Sequence, residues 1–110
     1  MQKTFTGFSR KNIRGIHKLS SKLNEIKHKA HEQVLLDLMG EHAEEIKQLY
    51  ELENAHYLVE TGDLLILCLE LLEAAQENPD IIMEKCYKRY NEKLSGLISE
   101  FKKQKGKKNG

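Results

Sequence analysis

One proline in 110 residues leaves this chain very little with which to interrupt a helix. That residue, Pro79, stands between Asn78 and Asp80. Asn is a common helix cap and Pro fits the first helical position, so Pro79 opens a helix instead of breaking one. Trp is absent, and β-branched residues are sparse beside Leu, Glu and Lys, a mixture that favours helix over sheet.

Apolar spacing turns that preference into elements. Ile13, Ile16, Leu19, Leu23 and Ile26 recur at intervals of three and four, which predicts an amphipathic helix from Arg10 to about Lys27 with Ser9 as its cap. Val34, Leu35, Leu38, Met39, Ile46, Leu49 and Leu52 carry the pattern on, and no Gly or Pro separates the two stretches. One helix over 10–52 stays open, but a compact bundle needs the chain to reverse, and the break is placed within 24–31. Asn54 is a weak stop ahead of a third helix, Tyr57 to Gln76. There the run from Leu64 to Leu72 is apolar around nearly the whole circumference, and such a helix is buried on most sides. A 110-residue monomer offers it too few neighbours, which points to an oligomer. The fourth helix runs from Pro79 to Phe101, with Ile81, Ile82, Cys86, Tyr90, Leu94, Leu97 and Ile98 as its stripe. The expectation is an all-α, four-helix bundle-like protomer in a homodimer or homotetramer. It has an irregular lead-in over 1–9, one helical domain over 10–101 and a basic, disordered tail over 102–110.

A net charge of +1 conceals segregation. Residues 1–18 carry five Lys or Arg and no acid, residues 101–110 carry five Lys and no acid, and the stretch between holds all seventeen acids against eight Lys or Arg. The plain reading is that basic ends solubilise an acidic body. The functional one is that some of them meet phosphate. Cys68 and Cys86 lie in helical patterns and do not read as a disulfide framework. Without a signal-peptide pattern or an apolar run of membrane-spanning length, a reduced, cytoplasmic setting with no membrane is expected.

Within the acidic stretch, two short words stand out: Glu41-His42-Ala43-Glu44 and Glu60-Thr61-Gly62-Asp63, with fifteen residues between them. Helical residues three apart lie about 60° apart around the axis and ~5–6 Å from one another, so each word aims two carboxylates at one patch. Asp63 directly precedes the leucine run, whereas a solvated charge normally stands opposite the apolar face. Carboxylates converging without cysteine favour Mg²⁺, or Mn²⁺, over Zn²⁺. A single acidic pair would be an ordinary surface feature in a chain with seventeen acids. Two pairs on consecutive helices are more specific.

The stretch from Leu38 to about Asn91, roughly half the chain, resembles the MazG-type all-α nucleoside triphosphate pyrophosphohydrolases, which include the dimeric dUTPases. Their pattern is Glu-Glu-x-x-Glu, a spacer, then Glu-x-x-Asp. Here it reads Gly40-Glu41-His42-Ala43-Glu44, then Glu60-Thr61-Gly62-Asp63, and Val59 to Leu65 resembles the family's Glu-Leu-Gly-Asp-Leu-Leu segment. The resemblance implies Mg²⁺-dependent hydrolysis between the α and β phosphates of a nucleoside triphosphate, giving the monophosphate and pyrophosphate. Glu41, Glu44, Glu60 and Asp63 would be metal ligands, with Glu41 and Glu44 also catalytic. Lys88, Arg89, Asn91 and Lys93 on the last helix would bind substrate phosphates, with Lys11 and Arg14 as weaker candidates. Gly40 departs from the pattern, since the family's first Glu belongs there. A competing register, Glu44-Glu45-x-x-Gln48, restores the doublet but loses the third Glu. The first register is preferred, and Glu45 is then a neighbour of the site or an ordinary surface charge, the second reading being favoured.

Other constellations are weaker. Glu25-x-x-His28 and Glu53-x-x-His56 have the spacing of a di-iron bundle site, but no acid precedes Glu25 to complete it. His28 and His31 read as surface residues. Two further functions remain: a non-catalytic helical interaction protein with a degenerate metal site, which Gly40 favours, and a nucleic-acid binder using the basic ends, which would bind with steep salt dependence.

Overall fold

The computed structural model describes residues 9–108. Four helices follow one another: α1 (Arg10–Ile26), α2 (His31–Glu51), α3 (Tyr57–Ala74) and α4 (Pro79–Lys108). No strand occurs among the described residues, which are all-helical, in keeping with an all-α chain. The described residues up to Pro79 form one compact unit and those from Asp80 a second, and each is described by itself.

Local signals set the helix starts. The Ser9 hydroxyl accepts from the Asn12 amide at 3.3 Å, capping α1, and α4 opens at Pro79 with Asp80 in its first turn. The stops are less obvious in the sequence, because the chain closes three helices with the same motif and no glycine. His28, Glu53 and Gln76 each have a positive φ, between 56° and 60°, one residue beyond the C-cap. In each case that residue's N–H reaches back three residues, and the next residue's N–H reaches back five. His28 bonds Glu25 and Lys29 bonds Asn24; Glu53 bonds Tyr50 and Asn54 bonds Leu49; Gln76 bonds Glu73 and Glu77 bonds Leu72. This is the Schellman arrangement, which usually places glycine in the left-handed position. The reversal expected within 24–31 therefore falls at residues 27–30.

α4 differs from its expected bounds. It continues past Phe101 through Lys108, because Lys102, Lys103, Gln104 and Lys105 are good helix formers and no proline stops them. The tail expected to be disordered is thus helix as far as it is described, and residues 109–110 lie outside the described part, as does the lead-in apart from Ser9.

Packing within the first unit centres on α3, which lies against both α2 and α1. Ile13, Leu35, Leu67 and Leu69 form the buried apolar core, with Leu35 only 2% exposed. α1 packs on a face its apolar pattern did not predict. Of its expected stripe only Ile13 is buried, while Ile16, Leu19, Leu23 and Ile26 are exposed, Leu19 at 66%. Inward instead stand His17, Ser20 and Asn24, which share a face with Ile13 about 100° around the axis from the apolar stripe. Arg10 and Arg14 close the same helix onto α3 through Glu73, at 2.9 and 3.5 Å.

The left-handed helix stops make a stability prediction. Gln76→Gly is expected to raise stability by about 0.5–1 kcal/mol, since glycine removes the ~1–2 kcal/mol strain of that conformation against a smaller entropic loss. Urea unfolding of the two proteins measures the difference.

Candidate functional site

The turn between α2 and α3 positions the second acidic word. The Asn54 side-chain oxygen accepts from the His56 N–H at 2.9 Å, turning the chain two residues before α3 begins. Tyr50 and Tyr57 pack edge to face across that turn, their ring centroids 5.3 Å apart. Glu60 then falls in the first turn of α3, where the helix dipole favours an anion.

Glu60 is half-buried and held by two histidines. One carboxylate oxygen accepts a hydrogen bond from His42 Nδ1 on α2, and the other lies 3.4 Å from His56 Nε2, one turn back on its own side of the chain. A carboxylate only accepts, so His42 carries a proton on Nδ1. Glu45, three residues after His42 on α2, shares a hydrogen bond with the same Glu60 carboxylate. The two acids are driven apart in acidity. The hydrogen bond from His42, helped by the one to Glu45, holds Glu60 below the ordinary glutamate value of 4.5. The shared bond and the charge of Glu60 push Glu45 above it, and Glu41 adds to the repulsion.

Donor atoms of His42, Glu60 and Asp63 lie within 4.8 Å of one another, with Asp63 on the solvent side. The structure thus brings Glu60 and Asp63 together, as the second word suggested. Glu41 and Glu44 are exposed and stand outside that group; Gln48 donates to Glu44 at 3.4 Å, along the helix surface. What α2 contributes instead is His42 and Glu45. His42, inside the first word among carboxylates, is not among the sequence candidates; Glu45 is, as a neighbour of the site ranked below a surface charge. The signal for them was their shared helix face, three residues apart, opposite Glu60.

The remaining candidates are described on their own elements. Lys88, Arg89, Asn91 and Lys93 are exposed on α4, where Lys88 lies 3.8 Å from Glu84 and the Arg89 guanidinium stands 5.7 Å over the Tyr90 ring. Lys11 is exposed, and Arg14 is engaged with Glu73. Of the two Glu-x-x-His words, Glu25 and His28 are exposed, while His56 serves Glu60. No helix of the described residues is long and apolar enough to cross a membrane. Compared with family models, with curated proteins and with solved structures, the chain matches none.

The opposed shifts have opposite consequences for stability. Glu60, lowered on folding, contributes stability that is present above its unfolded pKa and lost as pH falls through its folded value. Glu45, raised on folding, contributes in the other sense, and its share is lost as pH rises through its elevated value. Carboxyl carbon shifts followed by NMR should show Glu60 titrating below the ordinary range and Glu45 above it. In His42→Phe the Glu60 titration should move up.

Proposed function

We propose that this chain is a Mg²⁺-dependent nucleoside triphosphate pyrophosphohydrolase of the MazG type, working in a reduced, cytoplasmic setting. The observation that carries this reading is the convergence of Glu60 and Asp63 with His42, and the placement of Glu45 against Glu60. Two carboxylates, with a third beside them and an open solvent side, suit a hard divalent cation that keeps several of its waters. Such an ion, once bound, supplies Lewis-acid polarisation of a phosphoryl oxygen. Glu60 and Asp63 would hold it, and His42 fixes the orientation of Glu60. Glu45, exposed beside Glu60, would accept the proton of an attacking water. The water oxygen joins the α phosphorus and pyrophosphate leaves. Glu41 lends negative potential from the preceding turn of α2. Cys68 and Cys86 are free thiols, in keeping with a reducing compartment.

Pyrophosphate release with Mg²⁺ across a panel of nucleoside triphosphates tests the reading. Glu60→Gln and Asp63→Asn are each expected to lower kcat/KM by about 10²-fold or more, whereas Lys29→Ala, at an exposed turn, should leave it near the parent value. At Gly40, an added Cβ meets nothing within 4 Å, so Gly40→Glu is expected to fold and to retain or raise activity. Turnover indifferent to Glu60→Gln would refute the site.

A second reading, a helical interaction protein, has an observation of its own. On α4, Met83, Tyr87, Tyr90, Leu94, Leu97 and Phe101 follow one another at alternating steps of four and three, and each is more than half exposed. That 3.5-residue repeat is the spacing by which helices pair. Together with the exposed Ile16, Leu19, Leu23 and Ile26 of α1, it supports a homodimer or homotetramer in which a second copy covers apolar faces. Sedimentation of the parent should give a multiple of the 12.8 kDa chain mass. Leu19→Lys with Leu23→Lys, or Leu94→Lys, should shift it toward the single chain.

A further inference from the structure

The inward face of α1 is polar although an apolar one lies a quarter turn away, and what that polar face meets is a second cluster of metal-ligating side chains. His17 of α1, His31 of α2 and Glu70 of α3 place donor atoms within 4.8 Å of one another. Glu70 is 3% exposed and accepts from the Ser20 hydroxyl; among the described residues no Lys or Arg forms an ion pair with it. A buried carboxylate without a cationic partner is costly and calls for a compensating positive charge. The two imidazoles beside it are groups able to hold one.

We propose that His17, His31 and Glu70 bind a transition-metal ion of the Zn²⁺ type, which ties α1, α2 and α3 together. His31 Nε2 and His17 Nδ1 lie 3.2 Å apart. Two ligands bound at ~2.0–2.1 Å in a tetrahedron stand about 3.3–3.4 Å from one another, so the imidazole pair is already at the spacing of a tetrahedral edge. Two imidazoles and one carboxylate are the donors of Zn²⁺ and its neighbours in the first transition row, not of Mg²⁺ or Ca²⁺. The surrounding polar contacts are those that orient ligands. Asn24, 6% exposed, reaches His31 Nδ1 at 2.8 Å, and Ser20 holds the Glu70 carboxylate. With the Asn24 amide nitrogen donating to Nδ1, His31 carries its proton on Nε2 and gives it to His17. Ligation through Nε2 moves that proton to Nδ1, and the Asn24 amide, turned over, accepts it through its oxygen. No proton is lost in the exchange. The site is separate from the acidic one, since Glu70 lies ten residues beyond Glu60 along α3, about 15 Å.

Titration of the full chain with Co²⁺ tests the assignment, because four-coordinate Co²⁺ absorbs strongly in the visible and six-coordinate Co²⁺ does not. The expected result is one strongly absorbing ion per chain, displaced by Zn²⁺. The band should vanish in His31→Ala and Glu70→Gln, weaken in affinity by about 10–100-fold in Asn24→Ala, and persist in His28→Asn. Should the ligand variants fail to fold, imidazole ¹⁵N shifts of the parent chain give an independent answer, with His17 Nδ1 and His31 Nε2 moving on addition of Zn²⁺. A parent chain with no such band, a band surviving His31→Ala, or one abolished by Glu60→Gln instead would overturn the proposal.

Discussion

Burial of α3 is the constraint from which the rest of the first unit follows. Leu67 and Leu69 can leave water only if α1 and α2 close over that helix, and the closure carries Glu60 and Glu70 inward with the leucines. Neither carboxylate can be taken from water without a proton donor or a positive charge beside it. At Glu60 the neighbouring helix answers with a histidine, His42 of α2; at Glu70 the proton donor is Ser20 of α1, with His17 and His31 close by. The polar chemistry of this protein is therefore concentrated where its most apolar helix is covered. A substitution at either acid would disturb packing and electrostatics together.

The two ends of α3 are built differently. At Glu60 the surroundings are open. Asp63 and Glu45 are exposed, and the cluster holds more acids than histidines, so its field is negative and a cation can approach from water. At Glu70 the carboxylate is enclosed, its hydrogen bond comes from Ser20, and Asn24 locks the adjacent imidazole. An open, oxygen-rich cluster favours exchange of ligands, as the proposed cleavage of a phosphoanhydride would require. An enclosed, nitrogen-rich one would favour a resident ion whose energy goes into holding helices together. The two clusters thus differ in openness along one helix.

How much of this could be read beforehand depends on the range over which each feature is decided. Ser9 and Pro79 act within one turn of the chain, and the starts of the helices they open agree with the pattern. The helix class follows from composition, which is a property of every segment alike. The three Schellman stops were not visible, because His28, Glu53 and Gln76 adopt a conformation usually left to glycine, and only the surrounding fold holds them there. Pairing of Glu60 with Asp63 was legible from helical spacing within α3. Its partners on α2 were not, since the rotation of one helix against another decides whether Glu41 and Glu44 or His42 and Glu45 face the cluster. A periodic pattern says which residues share a face; it does not say which face the next helix covers.

α1 shows what that limit means energetically. Its exposed stripe of Ile16, Leu19, Leu23 and Ile26 would gain about 1.5–3 kcal/mol per side chain on full burial. His17, Ser20 and Asn24 gain little from burial and need partners to offset their desolvation. A helix that turns its polar face inward is consequently held by matched contacts: Arg10 and Arg14 with Glu73, Ser20 with Glu70, Asn24 with His31. Such contacts are directional, and they fail together when one member loses its proton donor or its charge. The apolar stripe, left outward, keeps the hydrophobic area that burial would remove from water. The same helix is thereby joined to its own chain by polar specificity, and the assembly proposed above would cover its other face.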